Sequence, residues 1–395
     1  MNKRTFLHLA TVAGLSSAWP ASWVHAQPPA VDAVVKHYAA LVHANYDESL
    51  KSALALQQVI RDFLAAPSAD SLQAARAAWV AAREWYDQTE AFRFYSGPID
   101  DGKGPETRIN TWPVDESYID YVRDKPGSGT INDPSIAIDK PTLAAMNERG
   151  GLENISTGWH AIEFLLWGQD FSETGPGDRP FTDYVDGKAP NVLRRRQYLS
   201  AVTELLIDDL RYVLTAWLPG VKINYRARFE RGGIESVRKM VIGMGTLSRA
   251  ELAGERLEVA LNTQDQEDEQ SCFSDNTHRD IVNDALGIEN VWLGRFKRSD
   301  GTVLQGPSMR DLVAAKDPAL AQSTTTQVAT SVAAALNIRP PFDQEIRGGD
   351  TAPGRLRIQA TIDSLRLQAR ALGSAANALG ITKLNMAKLD SAKTR

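Results

Sequence analysis

The sequence predicts an all-α protein made of two helical bundles in tandem. Three observations carry that prediction. Apolar residues recur at three- and four-residue spacing through several long stretches. No stretch alternates apolar and polar residues over the length of a strand. The 395 residues are enough for two cores of ordinary size. The balance of 43% hydrophobic and 24% charged residues is that of a soluble globular chain.

The chain opens on a segment expected to lie outside the fold. Met1-Asn2-Lys3-Arg4 is short and basic, Phe6 to Trp19 is mostly apolar, and Val24-His25-Ala26 offers a small-residue cleavage site. Residues 1–26 therefore read as a secretory signal peptide, which places the mature protein in the periplasm or cell envelope. Lys3-Arg4-Thr5-Phe6-Leu7 also faintly resembles a twin-arginine signal. No cysteine follows the apolar region, which argues against a lipid anchor. Loss of Lys3 and Arg4 from 44 basic residues leaves 42 against 49 acidic, a net charge of −7. An acidic chain without a basic stripe argues against nucleic acid as a partner. The single Cys272 leaves no internal disulfide to form. No later apolar run is long enough to span a membrane.

The helices follow in order. The periodic pattern from Val31 ends at Pro67, and Ser68 or Asp70 caps a second helix running to about Tyr95. The inner stripe of that helix is Leu72, Ala75, Trp79, Ala82, Tyr86, and its next member is Glu90, a carboxylate on a face that should be buried. Arg93, one turn on, could neutralise it as a plain ion pair. Residues 96–113 are rich in Gly, Pro and Asp and read as a long loop, which ends at Asp115, either an N-cap or a site residue. A further irregular connection, 124–151, precedes Gly158-Trp159-His160-Ala161-Ile162-Glu163-Phe164-Leu165-Leu166-Trp167-Gly168. Ser156 or Thr157 offers an N-cap hydroxyl there and Gly168 a left-handed stop. Helices are expected over 191–217 and 234–261, then 317–337 and 353–379. The connector 218–231, with Pro219 and Gly220, is the expected boundary between an N-terminal bundle (27–217) and a C-terminal one (218–395). The acidic run 264–270 reads as solvated surface. It leads into a polar stretch, Ser271 to His278, that caps another helix.

His160 and Glu163 lie three residues apart on one face of an otherwise apolar helix. A buried carboxylate is costly unless it is paired or bound to a cation, so the pair reads either as half a metal site or as a packing hydrogen bond. Together with Glu90 and Asp115 it would offer one nitrogen and three carboxylates, a set suited to iron, zinc or manganese. Zincin and inverted zincin patterns, a nucleophile elbow, a P-loop and a dinucleotide fingerprint are all missing. Di-iron bundles repeat Glu-x-x-His twice, whereas this chain has a single pair in the opposite order, which favours a mononuclear site.

The segment Gly158 to Asp170 resembles the Gly-x-His-x-x-Glu signature of the imelysin family. Glu90-Ala91-Phe92-Arg93-Phe94, Trp112-Pro113-Val114-Asp115-Glu116, Gly254-Glu255-Arg256, Glu267-Asp268-Glu269 and Ser271 to Thr277 appear in the order expected of it. Gln270 stands where a histidine would be expected. The resemblance implies an exported protein with two related bundles, linked to iron acquisition and possessing an envelope iron-transport component as partner. It implies a single metal ion, iron favoured over zinc, held by His160, Glu163, Glu90 and Asp115. Arg93, Asp275 and His278 are supporting or substrate-contacting candidates. The alternative it carries is a metallopeptidase acting on exported or extracellular proteins, which needs an open coordination position and a general base.

Overall fold

The computed structural model describes residues 30–382, so the expected signal peptide lies outside the described residues. The regular elements of the described chain are helices apart from one hairpin, Arg295–Lys297 paired with Val303–Gln305. The sequence gives no hint of that hairpin, because three residues are too few to display alternation. It seats Phe296 against Trp85, Leu41 and Ala44.

The long helices form where the apolar periodicity places them, at Val31–Ala65, Ala69–Tyr86, Val192–Ala216, Ile234–Thr246, Thr277–Leu293, Pro318–Leu336 and Pro353–Ala378. Ser68 caps the second in a reciprocal capping box with Ser71. That helix is shorter than its periodicity suggests. After Tyr86 it tightens into a 3-10 segment, Asp87–Phe92, whose steeper rise turns Glu90 inward. Helix Ile234–Thr246 continues into a π-helix, Leu247–Glu258, and then into Val259–Thr263.

Two main apolar cores result; the first draws on both ends of the described chain, the second on its first half and on Cys272 and Phe273. One gathers Val34 to Tyr46 of the first helix with Trp217, Met240, Ile288 and Ile362. The other gathers Leu50 to Phe63 of the same helix with Trp79, Trp159, Phe164, Leu206 and Phe273. The first helix, 35 residues long, therefore threads both cores. Around residue 270 the chain re-enters the second core through Cys272 and Phe273.

The segment Asp87–Phe92 is gripped between two helices at glycines. A Cβ on Gly243 would stand 2.4 Å from the Ala91 carbonyl oxygen, and one on Gly287 would stand 2.6 Å from that of Gln88. Backbone lies against backbone, so neither neighbour can yield by changing rotamer. Gly243→Ala and Gly287→Ala should each cost about 1–3 kcal/mol by overpacking. Thermal melts of the two variants against wild type check this.

Candidate functional site

Between the cores lies a seam of buried charge. Its acids are Asp87, Glu90, Glu163, Asp170, Glu269, Asp275, Asp280, Asp284 and Asp343, nine carboxylates all less than one-tenth exposed. Facing them are the guanidiniums of Arg83 and Arg256, both fully buried, and of Arg93, 11% exposed. The central imidazole is that of His160.

The motif helix, Gly158–Trp167, is positioned by its first glycine. Gly158 has φ +88°, and a Cβ there would stand 2.4 Å from the Ile109 carbonyl oxygen, so no other residue fits. The expected hydroxyl caps do not form. Thr157 donates to the Arg108 carbonyl and Ser156 to that of Leu143. Gly168 ends the helix at φ +73°, as expected.

His160 Nδ1 lies 2.7 Å from Glu163 Oε2, and because a carboxylate oxygen can only accept, Nδ1 carries the proton. Glu163 Oε1 accepts from the backbone N–H of Ser274 at 2.9 Å and from its hydroxyl at 2.7 Å. Burial lowers the His160 pKa against the opposing pull of Glu163, which keeps the ring neutral. Its Nε2 is buried and meets no hydrogen-bond partner among the described residues.

Glu90 is held differently. Its Oε2 accepts from both Arg93 and Arg256, and Arg256 reaches on to Asp284 Oδ2 at 2.7 Å and to Gln270 Oε1 at 3.1 Å. Arg256 also bonds Glu251 at 3.0 Å. The wider π-helical turn brings residues five apart onto one face, which makes that last contact possible. Burial alone would raise the Glu90 carboxyl, but the two guanidiniums outweigh it and hold it at about 2. A metal ion brought here would have to displace or repel two fixed cations. Arg83 plays the matching role next door, with Nη2 2.6 Å from Asp87 and Nη1 2.6 Å from Asn110, stacked among Trp79, Tyr86 and Trp159.

Asp115 does what a cap does: its Oδ1 accepts from the N–H of Ser117 at 3.0 Å and its hydroxyl at 2.6 Å. His160 and Glu163 are thus brought together, while Glu90 is committed to arginines and Asp115 to a helix terminus. The four expected ligands do not form a group of ligand atoms within 4.8 Å of one another among the described residues. Among the supporting candidates, Arg93 bridges Glu90 and Glu106, and His278 hydrogen-bonds the Asp275 carbonyl at 3.1 Å. Asp275 joins a different group. One carboxylate oxygen from each of Asp170, Asp275 and Asp343 lies within 4.8 Å of the other two, and this is the only such group of three or more potential ligands among the described residues. Burial and neighbouring acids raise Asp170 to about 6 and Asp275 to about 7.

The acidic run is not wholly surface. Gln264 and Asp265 are exposed, but Glu269 and Gln270 are 1% exposed and face the seam. Sequence reasoning missed Asp170, Asp343 and Glu269, although Asp170 closes the motif segment. Asp343 follows Pro340-Pro341-Phe342 with no periodic context, so no local signal marks it. Glu269 was hidden in a run whose composition spells solvent. Cys272 is buried with its thiol pushed up by burial and by surrounding acids, which leaves it an inert packing residue.

The family model described as imelysin (peptidase M75) matches residues 42–372. Iron-regulated protein A of Synechococcus elongatus is 27% identical over 308 residues, which cover 78% of this chain and 75% of that protein. A crystal structure described as an iron-regulated protein A precursor from Parabacteroides distasonis superposes with a TM-score of 0.68 at 20% identity, covering 90% of this chain and 97% of that one. An imelysin-like protein from Psychrobacter arcticum gives a TM-score of 0.62 at 15% identity, covering 88% and 96%. At these identities the two structures establish a shared fold.

Glu90→Gln leaves Arg93 and Arg256 facing a neutral amide and should cost about 3–5 kcal/mol near neutral pH. Because the folded-state pKa of Glu90 is depressed, its contribution is present above the unfolded value near 4.5 and is lost as pH falls toward 2. The difference between variant and wild type should therefore shrink across that window. Denaturant titrations at several pH values check both the size and the sign.

Proposed function

The chain belongs to the imelysin family, and from that premise we propose that it is an exported protein that binds an iron-class cation and hands it to an envelope transport component. The observation that carries this reading is the charge of the seam. Nine buried carboxylates face three guanidiniums and a neutral imidazole. Such an excess is costly in a low-dielectric interior unless the acids take up protons or a cation enters. The name of the Synechococcus relative, an iron-regulated protein, supports iron over zinc. So does the oxygen-rich donor set.

Peptidase chemistry fits the same residues poorly. A metal-assisted hydrolase needs a free carboxylate to take a proton from water. Glu163, the carboxylate of the motif, has both oxygens engaged, one by His160 and one by Ser274. Glu163 is thereby spent on holding the His160 ring and the Ser274 loop in place rather than on activating water.

Mature protein purified without a histidine tag should retain iron in preference to zinc after exposure to both and removal of excess. It should leave an unstructured protein such as casein intact with or without metal. Elemental analysis and a gel-based cleavage assay read the two results. Cleavage that is lost on chelation, restored by metal and abolished in Glu163→Gln with metal retained would instead establish a peptidase.

A further inference from the structure

The countercharge in the seam is unevenly distributed. Arg83 and Arg256 serve Asp87, Asp280, Asp284 and Glu90. Elsewhere in the protein the same rule holds, since buried Asp120 receives both Arg179 and Arg195. Among the described residues, no arginine or lysine is in ion-pair contact with Asp170, Asp275, Asp343 or Glu269. The closest influence is Arg347, which weakly favours charge on Asp170 and is itself paired with Glu173 at 2.7 Å.

The unpartnered atoms converge on this corner. Asp343 is fully buried and neither of its oxygens meets a hydrogen-bond donor. Glu269, 1% exposed, lies against Asp343 and accepts from the Thr277 hydroxyl. Asp170 Oδ2 and Asp275 Oδ1 are likewise without donors, while Asp170 Oδ1 accepts from the Ser172 N–H at 2.8 Å. A buried, unpartnered carboxylate is rare in a folded protein because nothing repays its lost hydration. Here four buried carboxylates without a basic partner adjoin, contributed by three stretches of chain: the turn after the motif helix, the loop that carries both Glu269 and Asp275, and the segment after Pro341. Asp170 also lines a cleft of about 440 Å³ together with Gln169, Phe171 and Arg123.

We infer that Asp170, Asp275 and Asp343, with Glu269 adjoining, form an all-oxygen coordination site for a hard cation of the iron(III) or manganese(II) class. This rests on the reading that the protein binds a cation, and it places the ion away from the nitrogen of His160. In this assignment the motif pair is a positioning device. Glu163 holds the backbone and hydroxyl of Ser274, and the next residue, Asp275, is held at φ +57° with its carboxylate in the site.

Manganese(II) is a suitable probe, titrated into the full mature protein with binding followed by electron paramagnetic resonance. Wild type should bind it with no nitrogen-14 coupling from imidazole in pulsed spectra. Asp343→Asn and Asp275→Asn should each weaken binding by at least about 100-fold, the upper range for loss of an outer-shell partner. His160→Ala should weaken it far less. Melting temperatures of both Asn variants no lower than that of metal-free wild type show that the loss is not one of folding. Imidazole coupling in wild type, or binding abolished by His160→Ala and unchanged in both Asn variants, overturns the assignment while cation binding stands. Wild type that binds neither manganese(II) nor iron overturns the functional reading itself.

Discussion

Every buried carboxylate must be neutralised, and in this protein that requirement connects the two cores. Arg256 shows how. Its guanidinium meets Glu90 from the second helix region, Asp284 from the helix Thr277–Leu293, and Glu251 from its own π-helix. Arg83 joins Asp87 to Asp280 in the same way. Such groups add little net stability over an apolar core of the same volume. They do penalise any arrangement in which a charge loses its partner, so they fix the register of one core against the other.

Backbone geometry is arranged around those charges. Gly243 and Gly287 let two helices close on the segment that carries Asp87 and Glu90. Gly158 lets the motif helix start against the Ile109 carbonyl. The π-helix sets Glu251 and Arg256 on one face, where an α-helix would separate them by well over a turn. These are local departures from regular geometry, and each delivers a side chain or backbone group to the seam.

The His160–Glu163 pair is the point where the motif helix touches the chain's later half. Its bonds to Ser274 run across 111 residues of sequence. The same loop supplies Glu269, Ser271 and Asp275, and Ser271 in turn donates to Asp280. A short loop rich in polar residues is thereby fastened at several points, which suits a site that must present carboxylates at fixed separation.

The helical fold was legible in the residues because apolar periodicity is a local property. The stripe Leu72, Ala75, Trp79, Ala82, Tyr86 is buried as its spacing requires, and Gly168 stops its helix as a glycine should. The pairing of His160 with Glu163 was legible for the same reason, since residues three apart on a helix are neighbours. The sequence also contained both roles open to Glu90 and Asp115, ion pair or ligand, cap or ligand, without deciding between them. Tertiary structure paired Glu90 through Arg256, 166 residues away, while Asp115 is engaged locally by the Ser117 amide two residues on. It alone brought Asp170, Asp275 and Asp343 within reach of one another. Their separations along the chain exceed any helical or strand period, so only the packing of the elements that carry them could place them together.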